Sequence, residues 1–382
     1  MIYRSYRFRI YPTKSQEEIL KKTIGCCRYI YNWNLELRKE SYKKDKTKVS
    51  YKKSSALMTQ LRKTSGTEWL KDVSFAALQQ SLLNVNTAYS RFFNGITRYP
   101  KFKKRKNGGS AKFVGGSFSL GLKGFRVNRV KDSIKVVWSR KMVSKPKSCV
   151  ISLNPSGQWF VSFACEDDVP HLPKINARIG IDLGIETFAT LSDGTKVKQP
   201  DSIRGLRRKL ARTSRSHSRK KLGSRNRDKS RVKVAHIHQR ITNIRNDFQQ
   251  KLSTSIVREN QVIAIEDLAV KNMAKNRKLS RCISEQGWRE FRTMLDYKAN
   301  WYGRGLIVID RFTPTSQICN ACGKTNKLSL DKRIVMCECG VMYDRDVNAA
   351  QNILAVGTTV SACGAGIRPI SNRRLAAKQE MA

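Results

Sequence analysis

Residues 179–184 read Ile179-Gly180-Ile181-Asp182-Leu183-Gly184, and residues 262–266 read Val262-Ile263-Ala264-Ile265-Glu266. Each is a short apolar run of strand length with a carboxylate set against it. A third apolar strand is predicted over 306–309. It follows a helix-patterned segment carrying Trp288, Phe291, Leu295 and Tyr297. Strands that alternate with helices argue an α/β sheet. Acids are scarce in this chain, with Asp+Glu 29 against Lys+Arg 76, so an acid placed on an apolar strand is informative. Asp182 lies inside the first strand and Glu266 ends the second, where a carboxylate at the sheet edge can reach solvent and a metal.

A third candidate stands further along, in Tyr343-Asp344-Arg345-Asp346-Val347-Asn348-Ala349-Ala350. Val347, Ala350 and Ile353 can form a helix face behind Asp346. Three convergent carboxylates suit two hard Mg²⁺ ions, which accept oxygen ligands and keep several waters. Such a pair activates water and stabilises the leaving oxygen in phosphodiester hydrolysis. Taken singly each acid has an ordinary reading: Asp182 as a turn cap, Glu266 as a lysine partner, Asp346 as a helix N-cap. Asp344 competes with Asp346, and Asp346 is preferred because it directly precedes the Val-Asn-Ala-Ala helix.

Just upstream lie Cys319-Asn320-Ala321-Cys322-Gly323 and Cys337-Glu338-Cys339-Gly340. Four thiolates satisfy tetrahedral Zn²⁺, and a glycine after each pair permits the tight knuckle that aims two sulfurs at one ion. A closed Cys₄ site has no open coordination position, so its role is structural. The second pair departs from Cys-x-x-Cys and is Cys-x-Cys, which tightens the bite at Cys339. The other six cysteines, Cys26, Cys27, Cys149, Cys165, Cys282 and Cys363, read as small hydrophobes or ordinary thiols.

The whole chain of 382 residues carries a formal charge of +47 with 40% hydrophobic residues. No small-molecule substrate needs that much field, and a polyanion relieves it while releasing counterions. The expected partner is nucleic acid. Between the strands bearing Asp182 and Glu266 runs a basic stretch, with Arg207, Arg208, Lys220 and Lys221 among fourteen cations from Arg204 to Lys233 and a single acid, Asp228. Like charges at helical spacing repel without a counter-charge, so the run is expected along phosphates. Lys103, Lys104 and Arg105, beside Phe102, read similarly. Membrane-spanning and secretory segments are not expected, and the chain reads as soluble and cytoplasmic, bound to the nucleoid when on DNA.

The start alternates Tyr6, Phe8 and Ile10 with Arg7 and Arg9, a strand pattern. Pro12 and Thr13 with Gln16 form a helix start, and residues 13–93 read as a helical region ending in a basic loop. Within it, Gln79 and Gln80 stand beside the apolar stripe of Leu78, Leu82, Val85 and Tyr89; glutamine can pair bidentately with adenine. From 111 to 168 short alternating segments separated by Gly, Asn and Pro are barrel or sandwich grammar. An unpaired first strand is costly, so it belongs to that barrel with the helical region inserted after it. Expected boundaries are 1–11 with 107–170 for the barrel, 12–106 for the helices, 171–314 with 343–360 for the α/β sheet, 315–342 for the ribbon, and a disordered tail over 361–382.

Gly-Ile-Asp-Leu-Gly at 180–184, Ile-Glu-Asp-Leu at 265–268, and a Cys₄ ribbon running into Asp-Arg-Asp-Val-Asn-Ala-Ala at 344–350 resemble, in that order, the TnpB family. Its members are transposon-encoded relatives of type V CRISPR effectors. The resemblance implies a multidomain α/β protein: an RNase H-like (RuvC-type) nuclease domain with a zinc ribbon, a wedge β-barrel and an inserted helical recognition domain. It implies an RNA-guided DNA endonuclease, a guide RNA from the transposon end, a double-stranded DNA target, and a short motif beside the target read by protein. Asp182, Glu266 and Asp346 match the catalytic positions, and all three are retained, which favours cleavage. Two other readings share the features: a guided regulator that binds DNA without cutting, and a transposase that joins DNA ends with the same acids.

Overall fold

The computed structural model describes residues 2–105, 108–326 and 333–362. Tyr6, Phe8 and Ile10 share one face of β1 (Ile2–Tyr11) and all three are buried, while Arg7 and Arg9 face away, Arg7 stacking 4.0 Å over the Phe160 ring. Then come α1 (Lys14–Asp45), α2 (Tyr51–Leu61) and α3 (Phe75–Phe93). The start of α1 is a reciprocal cap. The Gln16 backbone N–H donates to Thr13 Oγ1 at 3.3 Å, and the Thr13 N–H donates to Gln16 Oε1 at 3.0 Å.

The chain continues through β2 (Gly109–Val114), β3 (Phe118–Leu120), β4 (Gly124–Val127), β5 (Ile134–Val137), β6 (Ser148–Leu153) and β7 (Trp159–Asp167). With β1 they make an antiparallel sheet of order β2-β6-β7-β1-β5-β4-β3, a nearly closed barrel. β1 lies between β7 and β5, in register from Ile2↔Asp167 to Ile10↔Trp159, so the strand that stands alone in sequence finds its partners far along the chain. Phe8, Phe113, Phe125 and Phe163 fill the core, which runs on into Leu20, Ile24, Ile30, Leu78 and Leu82 of α1 and α3.

Next are β8 (Arg178–Asp182), β9 (Ala189–Leu191), β10 (Lys196–Val197), α4 (Ser202–Ser218), α5 (Arg225–Glu259), β11 (Val262–Glu266), α6 (Val270–Met273), α7 (Ser280–Gln286), α8 (Trp288–Tyr302) and β12 (Gly305–Ile309). A hairpin, β13 (Ile334–Met336) and β14 (Met342–Asp344), leads into α9 (Arg345–Ala362). The second sheet has the order β10-β9-β8-β11-β12, with β8, β11 and β12 parallel and β9 antiparallel to β8. Phe188 meets Phe248 and Phe291 edge-on in its core.

Two glycines seat α9 on this sheet. A Cβ on Gly180 would stand 2.1 Å from the Ala350 carbonyl oxygen, and one on Gly357 would stand 2.8 Å from Ala264 Cβ. Any side chain at either place lifts the helix. Ile353 and Val356 pack with Ala264 and Ile309 and carry α9 through Ala362, two residues into the expected tail. The remainder of 361–382 lies outside the described residues, as do 327–332 of the expected ribbon and the boundary at 106–107. The chain divides into two compact units, Met1–Asp168 with Lys220–His236, and Val169–Arg219 with Ile237–Ala382.

Candidate active site and metal centre

The parallel pairing of β8 and β11 aligns Ile181 with Ile265, which sets Asp182 and Glu266 at the same carboxyl-terminal edge of neighbouring strands. Ligands of open α/β sheets bind outside that edge, where connections diverge to opposite sides. The approach of α9 allowed by Gly180 brings Asp346, in the first helical turn, to the same place. Burial and the charges of Asp346 and Glu266 push the half-buried Asp182 carboxyl up to about 7. Burial, then Asp267, raises Glu266 as well. The charges of Asp346 and Glu266 disfavour the ionised form of Asp182, and a cation beside it would relieve that.

Asp344 and Asp346 have different tasks. Asp344 Oδ1 accepts the backbone N–H groups of Asp346 and Val347, both at 3.1 Å, and so caps α9. Its other oxygen pairs with Lys196 at 2.6 Å. Although burial raises it, Lys196 and those N–H groups hold Asp344 below the usual carboxylate range. The cap being taken, the Asp346 carboxylate is directed elsewhere, accepting from Arg333 at 2.8 Å, and Arg333 also pairs with Glu186 at 2.7 Å. Arg333 gave no signal in the sequence, since its partners are distant in the chain.

Asp267 follows Glu266 but belongs to a different cluster, clamped between Arg292 and Arg311. A cavity of about 390 Å³ opens beside Glu266, lined by Asp267, Trp288, Arg289, Arg292 and Arg311. Arg292 and Arg311 are engaged by Asp267, which leaves Arg289 the more available to a phosphodiester.

All four ribbon cysteines converge, their sulfurs within 4.8 Å of one another. Cys319 and Cys339 stand 3.9 Å apart and Cys322 and Cys337 3.6 Å apart. A tetrahedral ion with Zn–S of about 2.3 Å needs sulfur edges of about 3.8 Å. The short Cys-x-Cys pair therefore fits, and Cys339 belongs to the set. Gly323 and Gly340 take φ of +74° and +85°, and each donates its N–H back to the first cysteine of its pair at 2.9 Å. Hydrogen bonds from the Cys339 backbone and Asn326 pull the Cys337 thiol down, while, against a hydrogen bond from the Lys324 backbone, burial and the neighbouring sulfurs push Cys322 up. Among the described residues this is the one group of three or more such side chains so closely spaced. Asp182, Glu266 and Asp346 do not reach that spacing.

Asn348 and Asn352, one turn apart on α9, tie the first knuckle to this helix. Asn348 Oδ1 accepts the Asn320 N–H at 2.8 Å, its Nδ2 donates to the Ile318 carbonyl at 2.7 Å, and Asn352 Nδ2 donates to the Thr315 and Ile318 carbonyls at 2.8 and 2.6 Å. Both are buried polar side chains on an otherwise apolar helix face, the one signal by which sequence reasoning finds them. Asn348→Ala strips the partner from a backbone N–H and is expected to cost about 1–3 kcal/mol of stability, read from the denaturant midpoint. An unchanged midpoint removes the tie.

The basic candidates fall on several elements of the two units. Arg207 on α4 pairs with Glu285 at 2.9 Å, Arg208 is exposed on the same helix, and Lys220 and Lys221 fall before Gly223, whose φ of +79° separates α4 from α5. Lys103 lies 4.1 Å over the Tyr31 ring, and Lys104 and Arg105 are exposed. Gln79 and Gln80 are half-buried on α3. Among the described residues no helix is long and apolar enough to cross a membrane.

Residues 161–277 match a family profile described as "Probable transposase" (IS605 OrfB), residues 288–353 one described as "Cas12f1-like, TNB domain", and residues 1–47 one described as "Helix-turn-helix domain". That last segment folds as β1 and the single long helix α1. A Streptomyces pristinaespiralis protein named "Putative RNA-guided DNA endonuclease" is 44% identical over 372 residues, 96% of this chain and 92% of the relative. InsQ of Escherichia coli K12, named in the same way, is 33% identical over 388 residues, 94% of each chain. Among solved structures, a Cas12f1 complex with guide RNA and target DNA shares the fold with a TM-score of 0.56 at 12% identity, over 92% of this chain and 98% of that one.

Proposed function

The chain belongs to the TnpB (IS605 OrfB) family, and from that premise we propose that it is a transposon-associated RNA-guided DNA endonuclease whose hydrolytic centre is Asp182, Glu266 and Asp346. The observation that carries this reading is the meeting of three carboxylates at one sheet edge, where two of them raise the third. The sheet, with its first strand central, an antiparallel neighbour on one side and parallel strands on the other, supports the RNase H-like (RuvC-type) assignment. Asp182, Glu266 and Asp346 would hold two Mg²⁺. When bound, these supply an activated water and stabilise the leaving oxygen. Arg289 would meet a DNA phosphate while Arg292 and Arg311 hold Asp267 beside it, and Arg333 holds the Asp346 carboxylate that a metal would take over. Cys319, Cys322, Cys337 and Cys339 would hold a structural Zn²⁺ that fixes the ribbon beside α9.

The partners in this reading are a guide RNA from the transposon end and duplex DNA. Sequence choice passes to base pairing, and the protein holds a heteroduplex mostly by its backbone, which accounts for the +47 charge. Gln79 and Gln80 are proposed to read the adjacent motif, and Lys103, Lys104 and Arg105 to meet phosphates. The test is to sequence the RNA that co-purifies with the chain and to offer the complex matched and mismatched duplexes with Mg²⁺. Cleavage of the matched duplex alone supports the endonuclease; guided binding without cleavage supports the regulator.

Arg207, engaged by Glu285, is less available to phosphate than its neighbours. Neutralising Arg208, Lys220 and Lys221 is expected to weaken binding evenly across target sequences and to flatten the log–log salt slope by about two to three. A salt titration with unchanged slope makes these residues a solvated face.

A further inference from the structure

An open cleft of about 740 Å³ runs along one face of α1. Lys22, Gly25, Tyr29, Trp33 and Glu36 line it at helical spacing, and Trp69 and Phe102 close its sides. Tyr29 and Trp69 meet edge-on at 5.1 Å. Asn32 fastens the segment that carries Phe102: its Oδ1 accepts the Lys103 N–H at 2.8 Å and its Nδ2 donates to the Lys103 carbonyl at 3.0 Å. Tyr29, Trp69 and Phe102 are 37%, 37% and 45% exposed, so these rings present faces to solvent that the core does not use. Lys22 and Arg28 line the rim, and the Lys39 ammonium stands 6.0 Å over the Phe102 ring.

Gly25 is the telling residue. It lies inside a helix of 32 residues, where glycine is the poorest choice apart from proline. Packing does not require it, because an added Cβ would meet nothing nearer than Arg28 Nη2 at 4.0 Å. What its missing side chain does is keep the floor of the cleft clear.

We infer that this cleft binds an unpaired base of the RNA, stacked on its aromatic walls with an adjoining phosphate at Arg28; the inference rests on the RNA-guided reading above. Aromatic rings beside cations take up splayed bases, and folded RNA offers such bases in loops and bulges, whereas duplex DNA keeps its bases inside the stack. Lys22 and Lys39 already have carboxylate partners in Asp72 and Glu36, so Arg28 is the cation an apolar peptide would leave unanswered.

The test uses the full chain and a transcript of the RNA that co-purifies with it. Gly25→Met fills the cleft with a better helix former, so the Tm holds or rises while the RNA Kd increases about tenfold, the scale of losing one stacked base. Zero-length ultraviolet crosslinking is expected to map RNA adducts to the peptides bearing Tyr29, Trp33, Trp69 or Phe102. Wild-type RNA affinity in Gly25→Met overturns the inference and leaves the RNA-guided reading standing. A loss confined to DNA affinity, or cleft adducts from a DNA strand, overturns the assignment to RNA. Absence of any co-purifying RNA defeats both.

Discussion

Alanine at Asp182, Glu266 or Asp346 is expected to abolish Mg²⁺-dependent DNA cleavage, with RNA and target binding near wild type. Each carboxylate would hold a metal jointly with the others, so removing one misplaces the ion for all three. Members of such a unit are non-additive, and each single change is expected to cost about 10⁴-fold or more in cleavage rate, with double substitutions scarcely worse. The pair Asp344 and Asp346 supplies the internal control. Asp344→Asn keeps an oxygen to accept the N–H groups of Asp346 and Val347 and therefore keeps the cap and most of the activity. Asp346→Asn keeps size and shape but loses the charge a metal needs. Single-turnover cleavage assays with the assembled complex decide it: activity in Asp346→Asn together with its loss in Asp344→Asn would reverse the two roles.

That distinction shows where the sequence stops being sufficient. Val262 to Glu266 and Ile179 to Asp182 carry their strand periodicity on their face, and the Cys₄ spacing is local, so strands, acids and ribbon are legible before any coordinates. Asp344 and Asp346 lie two residues apart before one helix, and both suit the role of cap. Only backbone N–H directions separate them. Gly180 is legible as a glycine in an apolar strand, yet the reason for it is the Ala350 carbonyl on α9, remote in the chain. The same holds for Arg333, whose partners Glu186 and Asp346 come from different elements. Lys298 is a sharper case. It is buried on α8, and burial pulls it down to about 8 while it donates to Ser253 and Thr254 hydroxyls at 2.7 Å, an arrangement no local pattern announces.

Zinc at one ion per chain is the second large expectation, and serine at Cys319, Cys322, Cys337 or Cys339 is expected to remove it. Binding to such a site is itself folding free energy, on the order of 10 kcal/mol for small zinc modules, because the ligands are not preassembled in the open chain. Among the described residues the first knuckle is tied to α9 by Asn348 and Asn352, while the hairpin of β13 and β14 leaves Ile334, Met336 and Met342 exposed. Loss of the ion therefore frees Asn320 and Ile318 from their contacts with Asn348, and with them the start of α9 where Asp346 sits. Cleavage should fall in step with metal content as the ribbon's hold on α9 is lost, although no cysteine touches the carboxylates' role. Elemental analysis and cleavage assays on the four serine variants check this together. Full zinc and full activity in Cys339→Ser alone would exclude the short pair as drawn, despite sulfurs 3.9 Å apart across the centre. Zinc lost from all four with cleavage unchanged would instead separate the ribbon from the active site, and Asp346 would then owe its position to Gly180 and the sheet alone.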